Sequence, residues 1–190
     1  MAVRIVVFLH GTVLMHADAV GRARTERVAQ SRDRMHPGLY DFAAYVPVDG
    51  AVAKLWRWAE EGAELSYLSS HRDPYHLAED ASVLRRWEFP RGRVLARRRG
   101  EDYGDVVARA LPDVLVEDDC ESLGRGAELV SEEIRPELAA RIASIVVPEF
   151  GGIDHLPDTP AELRAFEPEP RSRRRLAAPP RRAAELAVRD

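Results

Sequence analysis

Three short stretches of polar residues in this sequence each follow a run of apolar residues. They are His10-Gly11-Thr12, Ser69-Ser70-His71 and Glu117-Asp118-Asp119. An imidazole titrates near neutral pH, so a histidine placed beside a carboxylate can give or take a proton during a reaction. The pattern therefore indicates acid/base chemistry, and we identify His10, Asp118 and Asp119 as the candidate catalytic residues.

The adjacent carboxylates Asp118 and Asp119 would need a positive charge beside them. Two carboxylates that lie close together raise one another's pKa unless a cation neutralises them. A protonated His10, or Arg97 after a later apolar run, would supply that cation. The alternative is that His10 has only a structural role and hydrogen-bonds Asp119.

Apolar runs and amphipathic segments alternate along the chain. Runs rich in β-branched residues predict five strands, at residues 3–9, 63–68, 94–96, 114–116 and 145–147. Amphipathic segments predict four helices, at residues 48–61, 78–87, 103–111 and 134–142. Asp49 is expected to cap the first helix. This alternation is typical of an α/β protein, here a Rossmann-like three-layer sandwich with a five-stranded parallel sheet. Ligands bind at the carboxyl ends of such strands, so the three polar stretches should meet there.

The connection between the first predicted strand and the following helix is unusually long. It covers residues 15–47, whereas most connections in α/β units have about 2–6 residues. Because it begins at the carboxyl end of a strand, we predict a cap over the ligand site. Tyr40, Phe42 and Tyr45 would then form part of the pocket wall; the alternative is that they only attach the insertion to the core. The core would comprise residues 1–14 and 48–166.

Four of these features resemble the haloacid dehalogenase superfamily, a large group of phosphohydrolases with a Rossmann-like sheet. They are Gly11-Thr12 after the first strand, Ser69-Ser70 after the second, Asp118-Asp119 after the fourth, and the long insertion after the first strand. The resemblance covers residues 3–156. It implies a phosphate site at this edge of the sheet and a Mg²⁺ ion held partly by the acid pair.

The sequence departs from that family at the residues that carry its chemistry. The resemblance places Phe8 where the family has its nucleophilic aspartate, and His10 where it has the aspartate that acts as general acid and base. A phenyl ring neither attacks phosphorus nor ligates a metal. The single lysine, Lys54, lies in a predicted helix, so an arginine such as Arg97 would have to replace the family's lysine. We therefore expect no aspartyl-phosphate chemistry, and no cofactor beyond a weakly bound Mg²⁺ at the acid pair.

An aromatic residue at the floor of the former phosphate pocket makes that pocket smaller and more apolar, which favours a small organic substrate. The predicted substrate-binding residues are Phe8, Thr12, Ser69, Ser70, His71, Tyr40, Phe42, Tyr45 and Arg97. We expect an enzyme that performs metal-independent acid/base catalysis, such as a dehydration, a cyclisation or a hydrolysis. Two alternatives stay open: a non-catalytic pseudo-phosphatase that binds a small molecule or a protein, and a phosphatase with a different nucleophile.

The composition indicates a protein of the reducing cytoplasm. The 190 residues carry a formal charge of −4, include one cysteine, and contain no apolar run that suits a membrane span or a secretory signal. All but one of the 28 basic residues are arginine, which resembles codon bias and does not indicate nucleic acid binding. Residues 167–190 contain seven arginines and four acids, a net charge of +3, and are predicted to form a disordered basic tail. A homodimer is compatible with this composition.

Overall fold

A computed structural model describes residues 2–124 and 129–167 of the chain. Its strands are β1 (Arg4–Phe8), β2 (Leu14–Met15), β3 (Val46–Pro47), β4 (Glu64–Leu68), β5 (Arg93–Leu95), β6 (Val114–Asp118) and β7 (Ala143–Val147). Five of them form one parallel sheet in the order β5-β4-β1-β6-β7, whereas β2 and β3 form a separate antiparallel ribbon. The prediction of an α/β fold with a five-stranded parallel sheet is confirmed.

Helices cover both faces of the sheet. They are α1 (Arg24–Arg32), α2 (Ala51–Glu60), α3 (Pro74–Arg86), α4 (Tyr103–Ala110), α5 (Val130–Glu133), α6 (Pro136–Ala139) and α7 (Pro160–Arg164). Side chains alternate along β1, so that Val7 packs in one apolar cluster with Trp58 of α2, and Phe8 packs in the other with Val106 of α4. The central strand is therefore buried on both faces, as its continuous apolar run requires.

Three helices differ from their predicted form. The helix expected at residues 78–87 begins earlier, at Pro74, where the side chain of Asp73 caps it by accepting from the backbone N–H of Tyr75. The helix expected at residues 48–61 begins only at Ala51, and Gly50 is its N-cap without a side-chain hydrogen bond. Asp49 does not cap it, because its backbone has a positive φ of 42° and its carboxylate accepts hydrogen bonds from Arg27. The helix expected at residues 134–142 is reduced to α6, since Pro136 lacks a backbone N–H and takes the first helical position.

The long connection after β1 is joined to the core by the ribbon of β2 and β3, which the sequence did not predict. Residues 16–45, called the insertion below, lie between these two strands and contain α1 and three short 3₁₀ turns. The buried guanidinium of Arg27 fixes α1 to the core by donating to Asp49 and to the backbone carbonyl of Phe150. Arg86 of α3 donates to the carbonyls of Ala43 and Tyr45 and so attaches the other end of the insertion.

Two further predictions concern the remainder of the chain. Within the part of the chain that the structure describes, no helix has the length and apolar character needed to cross a membrane. The predicted basic tail lies outside the described residues from residue 168 onward.

Candidate active site

A pocket of about 280 Å³ lies where the segments after β1, β4, β6 and β7 meet the insertion. Its wall includes the polar side chains of His10, Ser70, His71, Asp118 and Glu149. Apolar and aromatic wall residues are Phe8, Leu14, Leu39, Tyr40, Phe42, Tyr45 and Phe150. The pocket is thus apolar over much of its wall, with ionisable groups supplied by the strand ends. This is the location at which parallel α/β sheets bind ligands.

The carboxylate of Asp118 is buried at the end of β6, against Gly11. Gly11 has a φ of +88°, and a Cβ atom at this position would lie 2.7 Å from Oδ2 of Asp118. Thr12 donates its hydroxyl to Oδ2 at 2.9 Å, and the backbone N–H of Cys120 donates to Oδ1 at 2.9 Å. Burial, together with the negative charges of Glu149 and Asp119, outweighs these bonds and raises the pKa of Asp118 to about 7. Asp118 can therefore give or accept a proton near neutral pH.

Asp119 faces away from the pocket. Its Oδ1 accepts a hydrogen bond of 3.0 Å from the backbone N–H of Glu149, which joins the segments after β6 and β7. The carboxylate of Glu149 accepts hydrogen bonds from the backbone N–H and the hydroxyl of Ser122, and burial raises the pKa of Glu149 above its ordinary value. Asp118 and Asp119 thus hold different parts of the site instead of acting as one pair.

These residues do not fit the Mg²⁺ site that the resemblance implies. A hard cation of this kind needs several oxygen ligands directed at one point. Phe8 supplies no oxygen, both oxygens of Asp118 already accept hydrogen bonds, and Asp119 is directed at the backbone of Glu149. We derive no reaction step through this ion.

His10 lies between a serine and a buried aspartate. Its Nδ1 atom is 2.9 Å from Oγ of Ser70, and its Nε2 atom is 3.1 Å from Oδ1 of Asp80 in α3. The alternative that His10 hydrogen-bonds Asp119 is wrong, because both ring nitrogens are engaged by these two residues. His10 keeps 15% of its side chain exposed and contributes to the pocket wall. The imidazole is therefore both held in place and accessible from the pocket.

The carboxylate of Asp80 is the acceptor shared by His10, His71 and Ser69, and these four residues form one hydrogen-bonded cluster. Burial raises its pKa, but hydrogen bonds from His10, His71 and Ser69 and the charge of His10 more than compensate and hold the pKa of Asp80 well below its usual range. Nδ1 of His71 lies 3.1 Å from the second carboxylate oxygen, and the hydroxyl of Ser69 donates to that oxygen at 2.6 Å. An ionised carboxylate accepts only, so His10 donates from Nε2, and in its neutral form it offers an unprotonated Nδ1 to Ser70.

The aromatic side chains of the insertion lie against the two histidines. The ring centroid of Phe42 is 4.2 Å from that of His71, and the ring of Tyr45 lies 5.7 Å from that of His10. The hydroxyl of Tyr45 donates to the carbonyl of Leu39, which is also in the insertion. Tyr40 is largely exposed at the pocket. The three aromatic residues predicted from the sequence thus all line the pocket, and Phe42 and Tyr45 also pack the insertion against the two histidines.

Three other predicted binding residues do not line the pocket but contact residues that do. Thr12 and Ser69 are fully buried and act through the carboxylates of Asp118 and Asp80. The guanidinium of Arg97 lies 3.8 Å from the ring centroid of Tyr103 and donates to the backbone carbonyl of Ser70 at 3.2 Å. They therefore position the residues that do line the pocket.

Sequence reasoning missed Asp80, although it makes the most contacts in the cluster. A signal was present, because Asp80 occurs three and four residues before Val83 and Leu84, on the buried face of α3. A carboxylate on the apolar face of a helix requires a hydrogen-bonding partner inside the protein. Glu149 and Cys120, which also line the pocket, were not predicted as site residues either.

Among the described residues, one group of side chains could hold a metal ion. It consists of His10, His71 and Asp80. One ligand atom from each lies within 4.8 Å of the others. Two histidines and a carboxylate suit Zn²⁺ or Fe²⁺. Here, however, each imidazole faces a different oxygen of Asp80 at 3.1 Å, which is the geometry of two hydrogen bonds.

No protein-family model matches the chain. No curated protein matches it at a significant level either. Among solved structures, the chain is similar to the class C acid phosphatase from Bacillus anthracis with tungstate bound, at 15% sequence identity and a TM-score of 0.47. This match covers 80% of the present chain and 69% of the phosphatase chain.

Proposed function

We propose that this chain is a haloacid-dehalogenase-like enzyme that has lost aspartyl-phosphate chemistry and performs metal-independent acid/base catalysis on a small organic molecule. The observation that carries the proposal is the pair of proton-transferring groups on the pocket wall, His10 and Asp118. The reaction would be a dehydration, a cyclisation or a hydrolysis, each of which moves a proton to or from the substrate.

The two groups have complementary properties. Asp118 has a pKa of about 7, so that its acid and base forms are both populated at neutral pH. The unprotonated Nδ1 of neutral His10 accepts a proton, either directly or through the hydroxyl of Ser70, and Asp80 stabilises the imidazolium that forms. Such a group typically contributes a factor of about 10²–10⁴ to the rate.

The wall of the pocket favours an uncharged substrate. The wall carries the carboxyl groups of Asp118 and Glu149, and the exposed Arg34 is the one Lys or Arg side chain that lines the pocket among the described residues. The pocket therefore offers little positive charge to bind a phosphate or carboxylate. The rings of Phe8 and Phe42 provide apolar contact surface. We propose that the insertion acts as the cap of this pocket. Formation of a homodimer stays a prediction from the sequence.

The elimination reaction of a nitrobenzisoxazole tests the proposal without knowledge of the natural substrate. This flat, uncharged molecule needs only a base that removes one carbon-bound proton, after which its N–O bond breaks and a coloured nitrophenolate forms. We expect the full-length protein, stripped of metal and kept in EDTA, to accelerate this reaction by about 100-fold or more over buffer. We expect the same rate after Mg²⁺ is added.

A parallel assay with para-nitrophenyl phosphate and Mg²⁺ separates this proposal from its alternatives. We expect no hydrolysis of the phosphate. Hydrolysis that requires Mg²⁺ would support a phosphatase and contradict the proposal. A protein that binds the nitrobenzisoxazole but does not accelerate its reaction would support the non-catalytic binding module.

A further inference from the structure

We propose that Ser70 is a nucleophile activated by His10 and Asp80, and that the chain hydrolyses small uncharged carboxylic esters. This inference rests on the proposed function, because it uses the same pocket and assigns the proton accepted by His10 to a particular hydroxyl group. It adds a covalent step and a substrate class to that function.

The three side chains form one continuous hydrogen-bonded series. Oγ of Ser70 lies 2.9 Å from Nδ1 of His10, and Nε2 of His10 lies 3.1 Å from Oδ1 of Asp80. A hydroxyl, an imidazole and a buried carboxylate in this order activate serine nucleophiles on unrelated folds. Here the two ring nitrogens are exchanged relative to the usual triad, since Nδ1 faces the hydroxyl and Nε2 faces the carboxylate. His10 comes from the segment after β1, Ser70 from the segment after β4, and Asp80 from α3. In the sequence His10 is 60 positions from Ser70 and 70 positions from Asp80.

The protonation states in this series are suited to nucleophilic attack. Asp80 is ionised and accepts a hydrogen bond on each oxygen, so the Nε2–H of His10 is directed at the carboxylate. Nδ1 of His10 is then free of a proton in the neutral ring and accepts the hydroxyl proton of Ser70. The second imidazole, His71, holds Asp80 from the other side and keeps the carboxylate in position.

Ser70 is the member of the series best placed to meet a substrate. It lines the pocket together with His10, whereas Asp80 lies behind them with only 2% of its side chain exposed. The backbone of Ser70 is held by Arg97, which donates to its carbonyl at 3.2 Å. The neighbouring Ser69 is fully buried and donates to Asp80, so it cannot serve as the nucleophile.

The reaction balances with water as the only second reactant. Oγ of Ser70 attacks the ester carbonyl carbon while its proton moves to Nδ1 of His10. The bond from that carbon to the alcohol oxygen breaks, and the leaving alcohol takes the proton from His10, which leaves an acyl group on Ser70. Water then attacks the acyl carbon and gives a proton to His10, and this proton returns to Ser70 as the carboxylic acid departs.

The pocket defines the substrate class. A volume of about 280 Å³ suits an ester of short acyl and alcohol groups. The pocket wall offers little positive charge, which disfavours anionic esters, including phosphate esters. Phe42, packed at 4.2 Å against His71, provides an apolar surface next to the reactive groups.

A short-chain alkyl fluorophosphonate tests the nucleophile directly. Oγ of an activated serine attacks its phosphorus and expels fluoride, leaving a stable adduct that mass spectrometry locates. We expect one adduct per chain of the full-length protein, on Ser70, formed at least about 100-fold faster than with H10Q. S70A should form no adduct, whereas S66A, which alters a serine of β4 outside the pocket, should label at the wild-type rate.

Several results would overturn the inference. They are an adduct on a residue other than Ser70, wild-type labelling no faster than that of urea-unfolded protein, or labelling that EDTA abolishes and Zn²⁺ restores. The last result would assign the cluster of His10, His71 and Asp80 to a metal ion. The position of the wild-type adduct decides the matter even if S70A does not fold. If the wild type is not labelled but still accelerates the nitrobenzisoxazole reaction, only the role of Ser70 as nucleophile is contradicted. If it is not labelled and does not accelerate that reaction, the proposed function is contradicted as well.

Discussion

The α-carbon of Gly11 faces the carboxylate of Asp118 so closely that no side chain fits between them. A Cβ atom on residue 11 would lie 2.7 Å from Oδ2 and 3.0 Å from Oδ1. The backbone of Gly11 also has a φ of +88°, a conformation that costs about 1–2 kcal/mol for a residue with a Cβ atom. The absence of a side chain at residue 11 lets the segment after β1 approach the end of β6, where Thr12 donates to the pocket carboxylate.

Substitution of this glycine should disrupt both stability and function. We expect G11A to lower the free energy of unfolding by about 3 kcal/mol or more, because strain and the clash with Asp118 add. G21A is the matched control: its φ is +73°, but a Cβ atom there meets nothing within 4 Å. It should cost only about 1 kcal/mol in urea unfolding. Equal losses for the two variants would contradict the close contact.

The raised pKa of Asp118 makes the stability of the protein depend on pH. The folded state keeps the Asp118 proton up to a pKa of about 7, whereas the unfolded chain loses it near 3.8. Because the folded state binds more protons in this interval, stability is fully present below the lower value and is lost as the pH rises to the upper one. A shift of this size corresponds to a few kcal/mol, roughly 4 at most.

We therefore expect D118N to gain stability relative to the wild type as the pH rises from about 4 to about 7. Urea unfolding of both proteins at several pH values measures the difference. D41N, which alters an exposed aspartate outside the pocket, should follow the wild type at every pH. A stability difference between D118N and wild type that does not change with pH would show that Asp118 is ionised throughout.

Removal of one acceptor oxygen from Asp80 should destabilise the protein. In D80N the amide nitrogen replaces a carboxylate oxygen, so one of the donors from His10, His71 or Ser69 loses its acceptor. We expect a loss of about 1–3 kcal/mol, measured by urea unfolding. E79Q, at the half-buried neighbouring position of α3, should change stability by less than about 0.5 kcal/mol. An unchanged stability of D80N would contradict the hydrogen-bonded cluster.

Introducing two aspartates at positions 8 and 10, as in the family that the sequence resembles, should not produce phosphatase activity. Phe8 is 8% exposed and packs edge-on against Tyr103 at 5.5 Å, so F8D places a carboxylate among apolar residues. The other acids are also misplaced, since Asp119 is directed at Glu149. We expect the double variant F8D/H10D to be unstable and inactive toward para-nitrophenyl phosphate with Mg²⁺. Mg²⁺-dependent hydrolysis by a folded double variant would show that only the nucleophile was lost.

The fold was predictable from the sequence because its signals are local. The run of residues 3–9, rich in β-branched side chains, is typical of a buried strand, and polar stretches at the carboxyl ends of parallel strands meet at one edge of the sheet. In the structure His10, Ser70 and Asp118 line one pocket at this edge. Sequence reasoning could not place Asp80, whose contact with His10 spans 70 residues and depends on the rotation of α3 about its axis.

The different positions of the Asp118 and Asp119 side chains could not be predicted from the sequence either. Adjacent residues at a strand end point in opposite directions, and which of them faces the pocket depends on the register of β6 against β1. The antiparallel ribbon of β2 and β3 consists of two residues in each strand and includes Pro47, so it carries no recognisable strand pattern.

The central claim is that His10 transfers a proton in this pocket without a metal ion. The most direct measurement is the initial rate of nitrobenzisoxazole elimination by the metal-stripped wild type in EDTA, divided by the rate of H10Q under the same conditions. We expect a ratio of about 100 or more, with H155Q, an exposed histidine outside the pocket, equal to the wild type. Equal rates for wild type and folded H10Q would contradict the claim.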